Sequence, residues 1–285
     1  MRIVITGAKG KLGSRLAHLL NQKHQLFSYG AQDLDISNFR LVKSVIQQIK
    51  PDIVINCAAW TDVDGCARDT DKAIRINGYG AQNLAIATNN VNAAILHVSS
   101  NEVFDGRGQR PYYEYDAMNP ANPYGYSKMV GEKSVVAVNP RHYIVRTSWL
   151  FAHGGRNFIH AILDAAKAGK KLNVVVDEIA NPTYSDDLAD AIIDLISTER
   201  YGTYHLVNEG TVSRYNFARY FLDKAGLDDI EVGKISRYEW TRPSQPPVYS
   251  GLANHSARNL GIVMRNWQEA VDAFLEKENL LASET

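Results

Sequence analysis

The chain has 285 residues, 45% hydrophobic and 22% charged, enough to bury a sizeable core and somewhat long for one simple domain. Its 31 lysines and arginines offset 31 aspartates and glutamates, with no basic run or acidic tail, which argues against a nucleic-acid or membrane-surface partner and for a small molecule. Cys57 and Cys66 form no CxxC pair, Met1-Arg2 leads straight into Ile3-Val4-Ile5, and no apolar run reaches membrane-span length, so the expectation is a soluble, cytoplasmic protein without disulfides.

In chain order, β-branched runs at Arg2–Thr6, Gln25–Tyr29, Asp52–Cys57, Ala94–Ser99 and His142–Ser148 alternate with helical periodicity at Leu12–Gln22, Phe39–Ile49, Ile74–Asn89 and Tyr124–Val138. That alternation predicts an α/β fold, a Rossmann-type doubly wound parallel sheet with helices on both faces. Beyond Trp149 the pattern loosens. Phe158–Ala168 and Asp186–Ser197 read as helices, Lys171–Val176 and Thr203–Val207 as extended, and Ser213 as the N-cap of a helix through Lys224. The proline-rich stretch Arg242–Pro247 reads as a loop over a site. The expected division is interleaved: 1–148 with about 173–197 for a dinucleotide, about 149–172 with 198–285 for a smaller substrate-binding part.

The first strand ends in Gly7-x-x-Gly10-x-x-Gly13, a spacing that allows a tight turn, close approach of backbone N–H groups to a pyrophosphate, and tight helix-to-strand packing. After the second strand, Ser28-Tyr29-Gly30-Ala31-Gln32 offers neither an acidic residue for a ribose 2′-hydroxyl nor a basic one for a 2′-phosphate. NADH and NADPH both remain open, with a lean to NADP because no carboxylate opposes the extra phosphate. Asp35-Ile36 stands where the adenine edge would come within reach.

Asn122 as N-cap and Pro123 at the first helical position place Tyr124 and Lys128 on one helix face, a turn apart, whereas Tyr126 faces elsewhere. Acid–base work by a tyrosine near neutrality needs its pKa lowered by roughly 3 units, about 4 kcal/mol of preference for the phenolate, and a neighbouring ammonium supplies part of it. Ser100 follows the fourth strand at the carboxyl edge of the sheet, placed to polarise a carbonyl. The combination points to hydride transfer.

Together with Asn56-Cys57-Ala58-Ala59 and Gly131-Glu132-Lys133, the glycine turn and Tyr124-Gly125-Tyr126-Ser127-Lys128 resemble the extended short-chain dehydrogenases/reductases. Leu34-Asp35-Ile36, Ala59–Asp64, Val145–Trp149, Asn181-Pro182-Thr183 and Arg242-Pro243 are similar, within that superfamily, to the dTDP-4-dehydrorhamnose reductases. The resemblance implies reduction of the C4 ketone of a nucleotide-linked 6-deoxysugar by NADPH or NADH. It implies that Tyr124 donates the proton, Lys128 orients the nicotinamide ribose and lowers the tyrosine pKa, and Ser100 touches the substrate. It places Gly7, Gly10, Lys11, Leu12, Gly13, Asp35, Ile36, Ala58 and Ala59 at the cofactor, and Thr61, Asn101, Glu102, Trp149 and Arg242 at the substrate, with Arg242 on its diphosphate.

The chain departs from the family at Ser99-Ser100-Asn101-Glu102-Val103-Phe104, where Ser-Thr-Asp-Tyr-Val-Phe is common, so the sugar read there need not be the standard one. Arg15 stands where some members carry an acidic residue at a magnesium-bridged dimer contact, so no metal is expected and the chain reads as a monomer or weak homodimer. Two other readings compete: a nucleotide-sugar dehydratase or epimerase using Glu102, and a non-catalytic NADP-binding subunit like the regulatory one of methionine adenosyltransferase.

Overall fold

A computed structural model describes residues 1–155 and 157–282. Strands Arg2–Thr6, Gln25–Tyr29, Ile53–Asn56, Ala94–Ser100, His142–Thr147 and Gly202–His205 form one sheet in which every neighbouring pair is parallel. Across the sheet they run in the order Gly202–His205, His142–Thr147, Ala94–Ser100, Ile53–Asn56, Arg2–Thr6, Gln25–Tyr29.

Alternation along the strands decides which helix covers which face. Ile3, Ile5, Ile53, Ile55, Leu96 and Val145 pack against Leu12, Leu16 and Leu20 of helix Lys11–Leu20 and Leu188, Ile192 and Leu195 of helix Ser185–Ser197. Val4, Val54, Ile95 and Ile144 point the other way, onto Val42 and Ile46 of helix Phe39–Ile49, Leu84 and Ala85 of helix Gly80–Asn89, and Val135 of helix Pro123–Val138. Chain order reverses on either side of the first strand, and a crevice opens at the carboxyl ends of the strands beside it, the place such sheets bind ligands.

A second core gathers Phe151, Leu163, Leu172, Val174, Phe217, Phe221, Trp267 and Phe274. Two expected boundaries move. Asn173–Val175, read with the dinucleotide-binding part, belongs to strand Leu172–Val175, which pairs with Val232–Ile235 and puts Leu172 and Val174 in this second core. Gly202–His205, read with the substrate-binding part, is the edge strand of the main sheet, where Tyr204 is buried. The helix expected over Ile74–Asn89 starts at Thr70 and carries a π-helical turn at Ile74–Tyr79. Among the described residues no helix is long and apolar enough to cross a membrane.

Candidate active site

The carboxyl ends of four strands, the glycine turn and the start of helix Pro123–Val138 enclose a cleft of about 550 Å³. Its floor is locked by Asn56, whose Oδ1 accepts from Thr6 Oγ1 at 2.7 Å and from Ala58 N at 3.1 Å. Gly7 sits above it at φ +69°, and a Cβ there would lie 2.6 Å from Ala58 N. A Cβ on Gly13 would come within 2.3 Å of Gly7 O. The turn therefore requires glycine at both positions, and it leaves backbone N–H groups at the start of helix Lys11–Leu20, a seat for phosphate.

Asn122 Oδ1 accepts from Gly125 N at 2.8 Å, capping the helix that carries Tyr124 and Lys128, with Pro123 in its first turn. Such a cap contributes about 1 kcal/mol and fixes where the first turn begins. Both side chains line the cleft, one turn apart, while Tyr126 is exposed. Lys128 is 2% exposed, and its Nζ donates to Val98 O at 2.7 Å. Burial brings its pKa down to about 8, opposed by Glu132 one turn further on.

Tyr124 moves opposite to the expectation that Lys128 lowers it. Burial first and the Glu102 carboxyl second push the phenol well above its ordinary value, with the Ser100 hydroxyl pulling weakly the other way. Lys128, one of whose ammonium protons goes to the Val98 carbonyl, is not among the groups acting on the phenol, whereas the Glu102 carboxyl is. A protonated phenol is the form a proton donor needs at rest.

Gly7, Gly10, Lys11, Leu12, Gly13, Ala59, Thr61, Ser100, Asn101, Glu102 and Trp149 line the same cleft. Four expected residues do not. Asp35 accepts from Ser37 N at 2.9 Å and Ser37 Oγ at 2.8 Å, closing a turn, and Ile36 is buried in the core against Gly80. Ala58 lies behind Gly7. Arg242 points its Nε at Asp64 Oδ1, 3.0 Å away, and Asp64 also accepts from Ser244 N, so the proline-rich loop is tied to the helix Val63–Arg68 instead of offering a cation to the cleft. Asn101 lines the cleft, but its amide donates to Ser250 Oγ at 2.7 Å and Ser250 O at 3.3 Å, a bond that anchors a distant loop.

Reading the sequence missed Ser99, Thr147 and Ser148, which line the cleft and whose buried hydroxyls have no hydrogen-bond partner among the described residues. Their position at the ends of two parallel strands was the available signal. It also missed Lys9, whose side chain lies across Gly30 and pairs with Asp33 at 3.0 Å, putting one cation and one carboxylate beside the end of the second strand. Orphaned hydroxyls, a turn without room for Cβ atoms, and a lysine and tyrosine at the opposite wall fit a bound dinucleotide. Arg15, at the expected metal-disfavouring position, pairs with Asp186 at 3.2 Å.

Residues 1–280 match the family model described as RmlD substrate binding domain. The chain belongs to this family. The RmlD-family chain is 36% identical over 279 residues to the spore coat polysaccharide biosynthesis protein SpsK of Bacillus subtilis, covering 98% of each. It is 37% identical to a dTDP-4-dehydrorhamnose reductase of Aggregatibacter actinomycetemcomitans, over 95% of this chain and 97% of that one. Among solved structures, a dTDP-4-dehydrorhamnose reductase of Clostridium acetobutylicum superposes with a TM-score of 0.94 at 38% identity, covering 98% and 100% of the two chains. One from Bacillus anthracis, solved in complex with NADP, gives 0.93 at 36% identity, covering 97% and 99%. A dTDP-glucose 4,6-dehydratase of Streptomyces venezuelae, at 18% identity and a TM-score of 0.83, shares the fold alone.

Proposed function

We propose that this chain reduces the C4 ketone of dTDP-4-dehydrorhamnose with NADPH or NADH, forming dTDP-L-rhamnose. The observation that carries the reading is the Tyr124–Lys128 pair facing the glycine turn across one cleft, in a chain that matches dTDP-4-dehydrorhamnose reductases along nearly its whole length. When bound, the reduced nicotinamide supplies the hydride. The side chains supply the rest.

Gly7, Gly10 and Gly13 let the turn approach the pyrophosphate, and Lys128, held by Val98, presents its ammonium to the nicotinamide ribose. Ser100 Oγ polarises the substrate carbonyl. Tyr124, kept protonated by burial and by Glu102, gives its proton to the carbonyl oxygen as that oxygen gains charge. Thr61 and Trp149 wall the sugar pocket. Lys9 beside Gly30 favours NADPH, because a 2′-phosphate there would meet a cation, although Asp33 competes for it. The same reading carries a cytoplasmic location and a monomer or weak homodimer.

A dehydratase or epimerase would retain its nicotinamide and turn over without added NADPH. A regulatory subunit would bind NADPH without oxidising it. The deciding experiment follows nicotinamide absorbance with freshly made dTDP-4-dehydrorhamnose, in the wild type and in Tyr124→Phe. Expected are turnover in the wild type and a loss of at least roughly a hundredfold in kcat in the variant, with NADPH binding retained. Wild-type activity surviving the substitution would remove Tyr124 from the chemistry.

A further inference from the structure

The cleft carries charges besides the Tyr124–Lys128 pair. Glu102 lines it from the turn after the fourth strand, and its Oε2 accepts from Asn122 Nδ2 at 2.6 Å. Asn122 is also the cap of the helix bearing Tyr124, so one side chain fixes the carboxylate and the phenol in a common frame. Glu102 Oε1 has no hydrogen-bond partner among the described residues, and the side chain is only part-buried, facing the cleft.

Arg214 completes the arrangement. Its guanidinium lies 3.7 Å over the Trp149 ring and 5.2 Å over Phe158. Its Nε stands 3.6 Å from Oε2 of the buried Glu178, while its backbone N–H donates to Glu178 O at 3.1 Å. Stacking, ion pair and main-chain bond together hold the Trp149 ring at the cleft wall, in a residue whose backbone is at φ +39°. Burial first lifts the Glu102 carboxyl above its ordinary value, with Glu178 adding to it, while the Asn122 hydrogen bond, Arg214 and Arg242 act the other way and favour the carboxylate.

A flat aromatic wall beside a carboxylate oxygen without a partner is complementary to a pyranose, which offers C–H bonds on its face and hydroxyl donors on its rim. We propose that Glu102 is a specificity-determining residue, its Oε1 accepting a hydrogen bond from a ring hydroxyl of the hexosyl unit, and that Arg214 is a positioning residue holding Trp149 against that ring. This rests on the nucleotide-sugar reading above and names how the sugar is selected.

The test compares dTDP-4-dehydrorhamnose with two analogues lacking the C2 or the C3 hydroxyl. The wild type is expected to discriminate against one analogue by about tenfold to a hundredfold in kcat/KM, the range of a charge-assisted hydrogen bond. In Glu102→Gln, Asn122 keeps the amide oxygen and the cleft faces an NH₂ group, so KM for the parent sugar rises about tenfold, kcat changes little, and the discrimination disappears. Arg214→Ala raises KM for all three sugars alike and leaves the discrimination in place. Should Glu102→Gln not fold, Glu102→Asp withdraws the carboxylate by one methylene with the same expected outcome.

Titrating the three sugars into NADPH-loaded Tyr124→Phe protein reads the same discrimination without turnover. Failure of the reductase reading would then appear as missing wild-type turnover with selective binding intact. Equal treatment of all three sugars by the wild type, or discrimination surviving in Glu102→Gln, would overturn the proposal. A fall in kcat at unchanged KM in Glu102→Gln would also overturn it, by making Glu102 a proton carrier.

Discussion

Glu132 and Arg146 stand in two of the motifs that carry the family resemblance, yet the structure puts them behind the cleft, in the protein interior. Arg146 Nε lies 3.0 and 3.1 Å from the two oxygens of Glu132, and Nη2 donates to Oε2 at 2.8 Å, with the side chains 5% and 2% exposed. Nη1 donates to Glu114 O at 3.2 Å, and the guanidinium lies 5.1 Å over Phe104. The pair thereby joins the catalytic helix, the fifth strand and the Glu114 segment. Removing one member strands the other as a buried charge, which costs about 3–5 kcal/mol, whereas removing both costs less. At about 2–4 °C per kcal/mol, Arg146→Met or Glu132→Leu should lower Tm by roughly 6–20 °C, and the double variant by less than the sum. Urea and thermal unfolding of the four proteins measure this coupling. Single variants that each lose under about 1 kcal/mol would refute the account, because they would mean that the remaining charge finds water or another partner.

Lys128 gives a prediction in which activity and stability part company. With its folded pKa at about 8, kcat/KM should decline above pH 8 as the ammonium is lost. The unfolded chain, titrating near the ordinary lysine value, binds more protons between about 8 and 10.5, so this residue makes the protein more stable as pH rises across that window, by about 3 kcal/mol in all. A pH–rate profile and unfolding curves on wild type and Lys128→Met check both signs; a flat rate profile to pH 9.5 would discard the first. Gly7→Ala meets both a left-handed backbone and a 2.6 Å approach to Ala58 N, so it should cost at least about 1–2 kcal/mol of stability and weaken NADPH binding tenfold or more. Fluorescence titration with unchanged affinity would show that the turn tolerates a shifted backbone.

What was legible in the sequence was what neighbouring residues determine. Strands Arg2–Thr6 and Gln25–Tyr29 and helix Phe39–Ile49 begin and end where periodicity places them, because strand and helix patterns are set within a few residues. Tyr124 and Lys128 share a cleft because a helical turn and its Asn122–Pro123 start are local facts. Arg242 misled because its partner, Asp64, is far away in sequence and near in space, and the anchoring of Asn101 to Ser250 was hidden for the same reason. The Lys9–Asp33 pair was hidden in a similar way, since a cation from the glycine turn occupies the end of a strand that carries none of its own. Asn173–Val175 was assigned to the wrong part because a short apolar run does not say which sheet it will join.

The π-helical turn at Ile74–Tyr79 has a consequence for how this chain can vary. It turns Asn77 inward, where Oδ1 accepts from Trp60 N at 2.8 Å and Nδ2 donates to Trp60 O at 3.0 Å and to Ser127 Oγ at 2.9 Å. One side chain thus staples the loop leading to Thr61 onto the helix of Tyr124 and Lys128, and Gly131 lies so close that a Cβ there would sit 2.4 Å from Asn77 O. A π turn differs from an α turn by about one inserted residue, so deleting a residue here would restore regular pitch and rotate Asn77 away from all three contacts by about 100°. Point substitutions can drift around this staple, but its length is frozen: in this stretch the reading frame of the helix, more than the identity of any exposed residue, is what inheritance has to preserve.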